Sequence, residues 1–129
     1  VIRRPGRDVT LAGAGYSSYL CEQAAERLAG EGIEAEVVDI RVLNPFDPTV
    51  IAESASKTGA LLVVDGGWAP AGFAAEVIAC VAESGGLRRP PRRVTLPFAP
   101  APASRALESA YYPTAETVSA AVRGLVGDR

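Results

Sequence analysis

The sequence predicts an α/β domain: a mostly parallel sheet carrying helices on both faces. Runs rich in β-forming residues alternate with stripes at helical spacing, the pattern of strand–helix–strand units. One run, residues 61–64 (Leu-Leu-Val-Val), is wholly apolar, as a strand covered on both sides must be. Glycines sit where strands hand over to helices and where helices stop.

Taken in order, residues 1–7 form a lead-in and residues 8–12 read as the first strand, followed at once by Gly13-Ala14-Gly15. Ser17 or Ser18 is placed to cap the next helix. Its stripe is Leu20, Cys21, Ala24, Ala25 and Leu28, and Gly30 and Gly32 end it. Residues 34–40 are the second strand. Asp47 before Pro48 marks a helix start, with a carboxylate for orphan amides and a proline suited to the first position. That helix stops near Gly59.

The third strand, 61–64, empties into Asp65-Gly66-Gly67-Trp68, where two glycines permit backbone angles closed to other residues. The helix at 73–83 is apolar on nearly every side, so a second cover besides its own sheet is expected, and another chain is the natural candidate. Trp68, Phe73, Val77 and Val81 are the candidate interface residues. For Trp68 a subunit contact and an intramolecular lid both stand open. Ser84-Gly85-Gly86 stops this helix, and residues 92–96 read as a fourth strand. Residues 97–113 begin as a proline-rich stretch that should wrap over the surface. The Tyr111-Tyr112 pair should seat the final helix, which Thr114 caps and whose stripe is Val118, Ala121, Val122, Leu125 and Val126.

At 129 residues the chain, 1–129, suits one domain with a core that needs no staples. A net charge of −2 gives no electrostatic case for nucleic acid or an anionic membrane. Arg88, Arg89, Arg92 and Arg93 form a local basic cluster, either a solvated loop or a docking patch for an acidic partner. Cys21 and Cys80 lie among apolar residues without metal-type spacing, which suits buried free thiols in a reducing, cytoplasmic setting. Nothing resembles a signal peptide or a membrane span. The chain opens Val-Ile-Arg-Arg, which fits the downstream piece of a longer polypeptide.

There is no histidine. A Ser-His-Asp triad, a Cys-His pair and a His-ligated metal are therefore excluded within the chain, and no catalytic, cofactor-binding or metal-ligating residue is assigned. Asp39 and Asp65 fall at the sheet rim where open α/β folds bind ligands. They are the candidate rim residues. Gly13-Ala14-Gly15 through Ser18 is an incomplete dinucleotide fingerprint, with Asp39 as its possible ribose acid; a tight turn explains it equally well. A small Rossmann-like nucleotide-binding enzyme using that turn is the alternative function.

Three segments together resemble a family. Residues 39–47 look like the D-x-R-x-x-x-P-x-D stretch of the C-terminal domain shared by transketolase-like proteins. Asp65-Gly66-Gly67-Trp68 with Gly72-Phe73-Ala74-Ala75-Glu76 is similar to the E-G-G-W…G-x-G-A-E run of the beta subunits of pyruvate, branched-chain and acetoin dehydrogenases. Pro100-Ala101-Pro102, Leu107-Glu108 and Tyr112-Pro113 resemble the P-x-P…L-E…L-P tail of the same subunits. Asp65 replaces the usual Glu, Ala74 a usual Gly, and Phe98 a frequent Asp; these departures leave the substrate open, with a split transketolase-like subunit as a further possibility.

The resemblance implies a three-layer fold whose sheet of about five strands has one antiparallel edge. It also implies a thiamine diphosphate-dependent parent enzyme that decarboxylates a 2-oxo acid and transfers the acyl or ketol group. Diphosphate, magnesium and catalytic histidines are then expected in other domains. This chain alone is expected to be inactive and to bind none of the cofactors, serving as an oligomer-forming assembly domain with other subunits of that enzyme, or an acyltransferase core, as partners.

Overall fold

The computed structural model describes residues 1–127; residues 128 and 129, included in the expected domain, lie outside the described residues. The strands are β1 (Ile2–Arg4), β2 (Val9–Gly13), β3 (Ala35–Asp39), β4 (Leu61–Trp68) and β5 (Arg92–Leu96). The helices are α1 (Tyr16–Ala29), α2 (Thr49–Thr58), α3 (Phe73–Ser84), α4 (Arg105–Tyr111) and α5 (Ala115–Val126). The strands form one sheet in the order β1-β3-β2-β4-β5. All neighbours are parallel except β1, which lies antiparallel on β3. Helices cover both faces, so the expected three-layer α/β architecture is observed.

Alternation along each strand sends side chains to opposite layers. Val9, Leu11, Leu62 and Val64 pack with α1 and α5, while Ala12, Leu61 and Val63 pack with α2 and α3. Both layers are mainly aliphatic; among the described residues Tyr111 is the only buried aromatic side chain. The connection from β2 leads to β3 on one side and that from β4 to β5 on the other, over opposite faces. The carboxyl ends of β2 and β4 thus flank the topological switch point, where such sheets form their crevice.

Several local expectations change. Residues 2–4 of the lead-in form an edge strand: Val1 and Asp39 exchange backbone contacts, with the Asp39 amide donating to the Val1 carbonyl at 2.8 Å. Neither Ser17 nor Ser18 caps α1; Gly15 does so, at φ 56°. Asp47 does accept the Thr49 amide (3.0 Å) and hydroxyl (2.6 Å), and those two donors hold its carboxyl below the usual range. Thr114 caps α5 as expected, in a reciprocal box with Thr117. The proline-rich segment is interrupted by α4, whose Ser104 side chain accepts from the Leu107 amide.

Two arginines of the basic cluster serve helix ends and a third serves a loop. The Arg88 guanidinium donates to the carbonyls of Ser56, Lys57 and Thr58 at the end of α2. Arg89 donates to the Leu125 carbonyl near the end of α5, and Arg93 to the Ala69 carbonyl. These are the orphan acceptors of helix and loop ends, so three of the four arginines carry backbone contacts within the chain, a use that neither the solvated loop nor the acidic docking patch anticipates.

An aromatic carboxyl edge

Every aromatic residue of the chain lies at the carboxyl end of the sheet. Tyr16 and Tyr19 open α1, Phe46 precedes α2, Trp68 ends β4, Phe73 begins α3, Phe98 follows β5, and Tyr111-Tyr112 close α4. The backbone geometry of four successive loops brings them together. Trp68 and Phe98 meet edge to face with centroids 5.5 Å apart, as do Phe46 and Phe73 at 5.2 Å. Tyr16 is 70% exposed, Phe98 74% and Trp68 44%. Val42 and Leu43, in the loop after β3, are also exposed.

Trp68 is held inside the chain as well as shown to solvent. Its indole Nε1 donates to the Tyr111 hydroxyl at 3.2 Å, and that hydroxyl donates to the Ala99 carbonyl at 2.7 Å. This relay ties the end of β4 to the proline segment and the end of α4. The intramolecular reading of Trp68 thus has a defined contact, while its partial exposure leaves a face for the subunit contact that the sequence also allowed.

The switch-point crevice holds an apolar cleft of about 270 Å³ lined by Ala14, Tyr16, Leu20, Gly66, Tyr112 and Pro113. A second depression, about 200 Å³, lies at the end of β3 among Asp39, Arg41, Phe46 and Val50. The two rim carboxylates stand at this edge with defined partners. Asp39 accepts from Arg41 Nε at 3.1 Å. Asp65 accepts the Gly67 amide on one oxygen and the Ala74 amide on the other, both at 3.0 Å. Ala74 is in the first turn of α3, so Asp65 acts as a cap reached from nine residues upstream. Asp65→Ala is expected to cost about 1–2 kcal/mol in urea unfolding, and Asp65→Asn much less.

The candidate interface residues divide. Val77 and Val81 are fully buried in this chain's own layer with Ala55 and Val63, which removes them from any interface. The outward side of α3 is instead Ala75, Glu76, Ala79 and Ala82, with Cys80 partly covered. The all-round apolar pattern arose from alanines, which count as apolar yet sit comfortably in water. Phe73 is half-buried on Phe46, and Trp68 is the one of the four that stays exposed. What sequence reasoning missed was the polarisation itself: the aromatic residues collect at one end of the sheet, and of the eight only Tyr111 is buried.

The glycine-rich turn after β2 is a packing device. Gly15 takes the left-handed angle, and a Cβ at Gly13 would lie 2.8 Å from the Ser17 carbonyl carbon. The amides of Ser17 and Ser18 already donate to the carbonyls of Ala14 and Gly15 at 3.1 Å, so the first turn is closed on itself. Among the described residues, no group of three or more acidic, cysteine or histidine side chains could hold a metal ion. Burial pushes the Cys21 thiol up to about 12, while Cys80 is partly buried and its thiol is raised by burial and by Glu76. Neither is a poised thiolate. No helix among the described residues is long and apolar enough to cross a membrane.

The sequence profile of a family described as the transketolase C-terminal domain matches residues 1–118. The chain is 40% identical over 124 residues to the acetoin:2,6-dichlorophenolindophenol oxidoreductase subunit beta of Cupriavidus necator, covering 95% of this chain and 37% of that one. It is 39% identical over 125 residues to the mitochondrial pyruvate dehydrogenase E1 component subunit beta of Caenorhabditis elegans, covering 95% and 36%. Among solved structures, a split gene transketolase described as an inactive beta4 tetramer superposes with a TM-score of 0.84 at 30% identity, covering 98% of this chain and 42% of that one. The chain spans under two-fifths of the length of these two curated relatives.

Proposed function

Because the chain belongs to the transketolase C-terminal domain family, we propose that it is the assembly domain of a thiamine diphosphate-dependent enzyme of the 2-oxoacid dehydrogenase beta-subunit or transketolase type. In this reading the whole enzyme decarboxylates a 2-oxo acid and passes on the acyl or ketol group. This domain holds the neighbouring subunits in place through the carboxyl edge of its sheet. The aromatic polarisation is the observation that carries the reading. Aromatic side chains concentrate at the anchoring points of interfaces, and here the buried side chains of the two layers include no aromatic ring, with Phe46 and Phe73 packed only against the margin of one of them.

The cofactor does not suit this chain's residues. A magnesium-bound diphosphate requires several free oxygen ligands and an anion cradle. Asp65 is engaged by two amides, Asp39 by Arg41, and the first turn of α1 by its own carbonyls. No chemical step is therefore assigned to this domain. The same closed turn weighs against the Rossmann-like alternative.

The test is Trp68→Ala, read by sedimentation and by thermal melting together. Association of the chain with itself or with a thiamine-dependent partner subunit is expected to weaken about tenfold or more. The melting temperature should fall by only a few degrees, about that of losing one partly exposed hydrogen bond. Equal loss of folding and association removes Trp68 as an anchor.

A further inference from the structure

Helix α4 is the least covered element of the fold. Of its seven residues only Tyr111 is buried; Arg105 through Ala110 are all exposed. A helix this short does not persist alone in water, and here a single Ser104 cap and one buried ring hold it. Arg105 and Glu108 stand three residues apart on one side of it. With Tyr16, Tyr112 and Pro113 they line a shallow depression of about 570 Å³. Among the described residues neither takes part in an ion pair, with the other or with any third group. The opposite layer differs: there Arg123 bridges Glu31 and Glu116, and Arg27 joins Glu116.

We propose that α4 packs antiparallel against α4 of a second copy of this chain, Arg105 of each copy on Glu108 of the other. The proposal rests on the assembly reading above and names the partner. Charge arrangement selects a second copy over an unrelated surface. A cation and an anion spaced along one helix side are complementary to themselves when that side meets its own two-fold image. One operator then satisfies all four unpaired charges. The contact also continues the aromatic edge, since Tyr16 and Tyr112 border the same depression and supply the apolar area that two surface ion pairs lack.

The test uses Arg105→Glu, Glu108→Arg and the double exchange in the 129-residue chain, by sedimentation across protein concentration and at low and high salt. Each single reversal is expected to weaken the dimer about tenfold by setting like charges face to face. The double exchange should return it to within about threefold of the parent, and salt should weaken the parent more than the single variants. All three changes lie on an exposed surface, so melting temperatures should stay together. A chain that remains monomeric overturns the proposal. So does a dimer indifferent to the single reversals, or one the double exchange fails to restore. If such a dimer still responds to Trp68→Ala, the assembly reading stands and only the α4 pairing falls.

Discussion

Lys57→Ala is expected to destabilise the domain by about 2 kcal/mol at neutral pH, and the deficit should vanish in acid. The reason lies across the chain in β3. Glu36 is a carboxylate in the middle of a strand, with its side chain 1% exposed. Its Oε2 takes the Lys57 ammonium in an ion pair and the Gly6 amide at 3.2 Å. Lys57 itself is half in solvent, at the rim of a depression that also contains Ser54 and Glu53. Removing it frees a well-hydrated group but strands a buried charge, and the second effect decides the sign.

The pH dependence follows from opposing influences on that carboxyl. Burial pushes it up, whereas Lys57, Ser54 and Gly6 pull it down, and the net position is below the ordinary 4.5. A carboxyl depressed in the folded state contributes stability that is present above its ordinary unfolded value and lost as pH falls through the folded value. Without Lys57, burial acts with less opposition and the folded value rises. The parent and variant should therefore differ at neutral pH and converge as pH falls through the parent's depressed folded value, in urea melts taken at a series of pH values. Adding Glu36→Gln to Lys57→Ala should recover part of the loss, since the neutral amide no longer needs the cation.

That pair shows where sequence reading stops. Glu36 lies in a β-rich run and Lys57 near a helix end; nothing local says that 21 residues of chain return one to the other. The same holds for Arg88 and Arg89, whose acceptors are some 30 residues distant, upstream in α2 and downstream in α5. What periodicity could deliver, it delivered: the α1 stripe, the α5 stripe with its Thr114 cap, and the apolar β4 all sit as their spacing requires. β1 escaped because three residues carry no alternation to detect. α4 escaped because the prolines upstream of it dominate the composition of its segment, although Ser104 is an ordinary cap signal. The carboxyl-edge aromatics were visible singly, but their common location required the sheet order.

Gly72→Ala is expected to be the most damaging small change on the carboxyl edge, and Gly66→Ala nearly silent. From sequence, Gly66 and Gly67 are the residues that the turn after β4 should need. The structure continues β4 through both as far as Trp68, with its register on β5 shifted between Val64 and Trp68; neither glycine has a left-handed angle, and Ala71 takes φ 54° instead. A Cβ on Gly66 would meet nothing within 4 Å. At Gly72 it would lie 2.0 Å from the Trp68 carbonyl oxygen, a backbone atom that cannot rotate aside. The strand end and the start of α3 must then separate, and Asp65, which bonds Gly67 and Ala74 from between them, must release at least one amide. Losing that capping contact and opening the loop should together cost about 3 kcal/mol, against under about 0.5 for Gly66→Ala. Because the loop also sets the direction of Trp68, association measured on whatever Gly72→Ala protein remains folded should fall with it. If Gly72→Ala melts with the parent, the close approach of the two segments is not what fixes this edge.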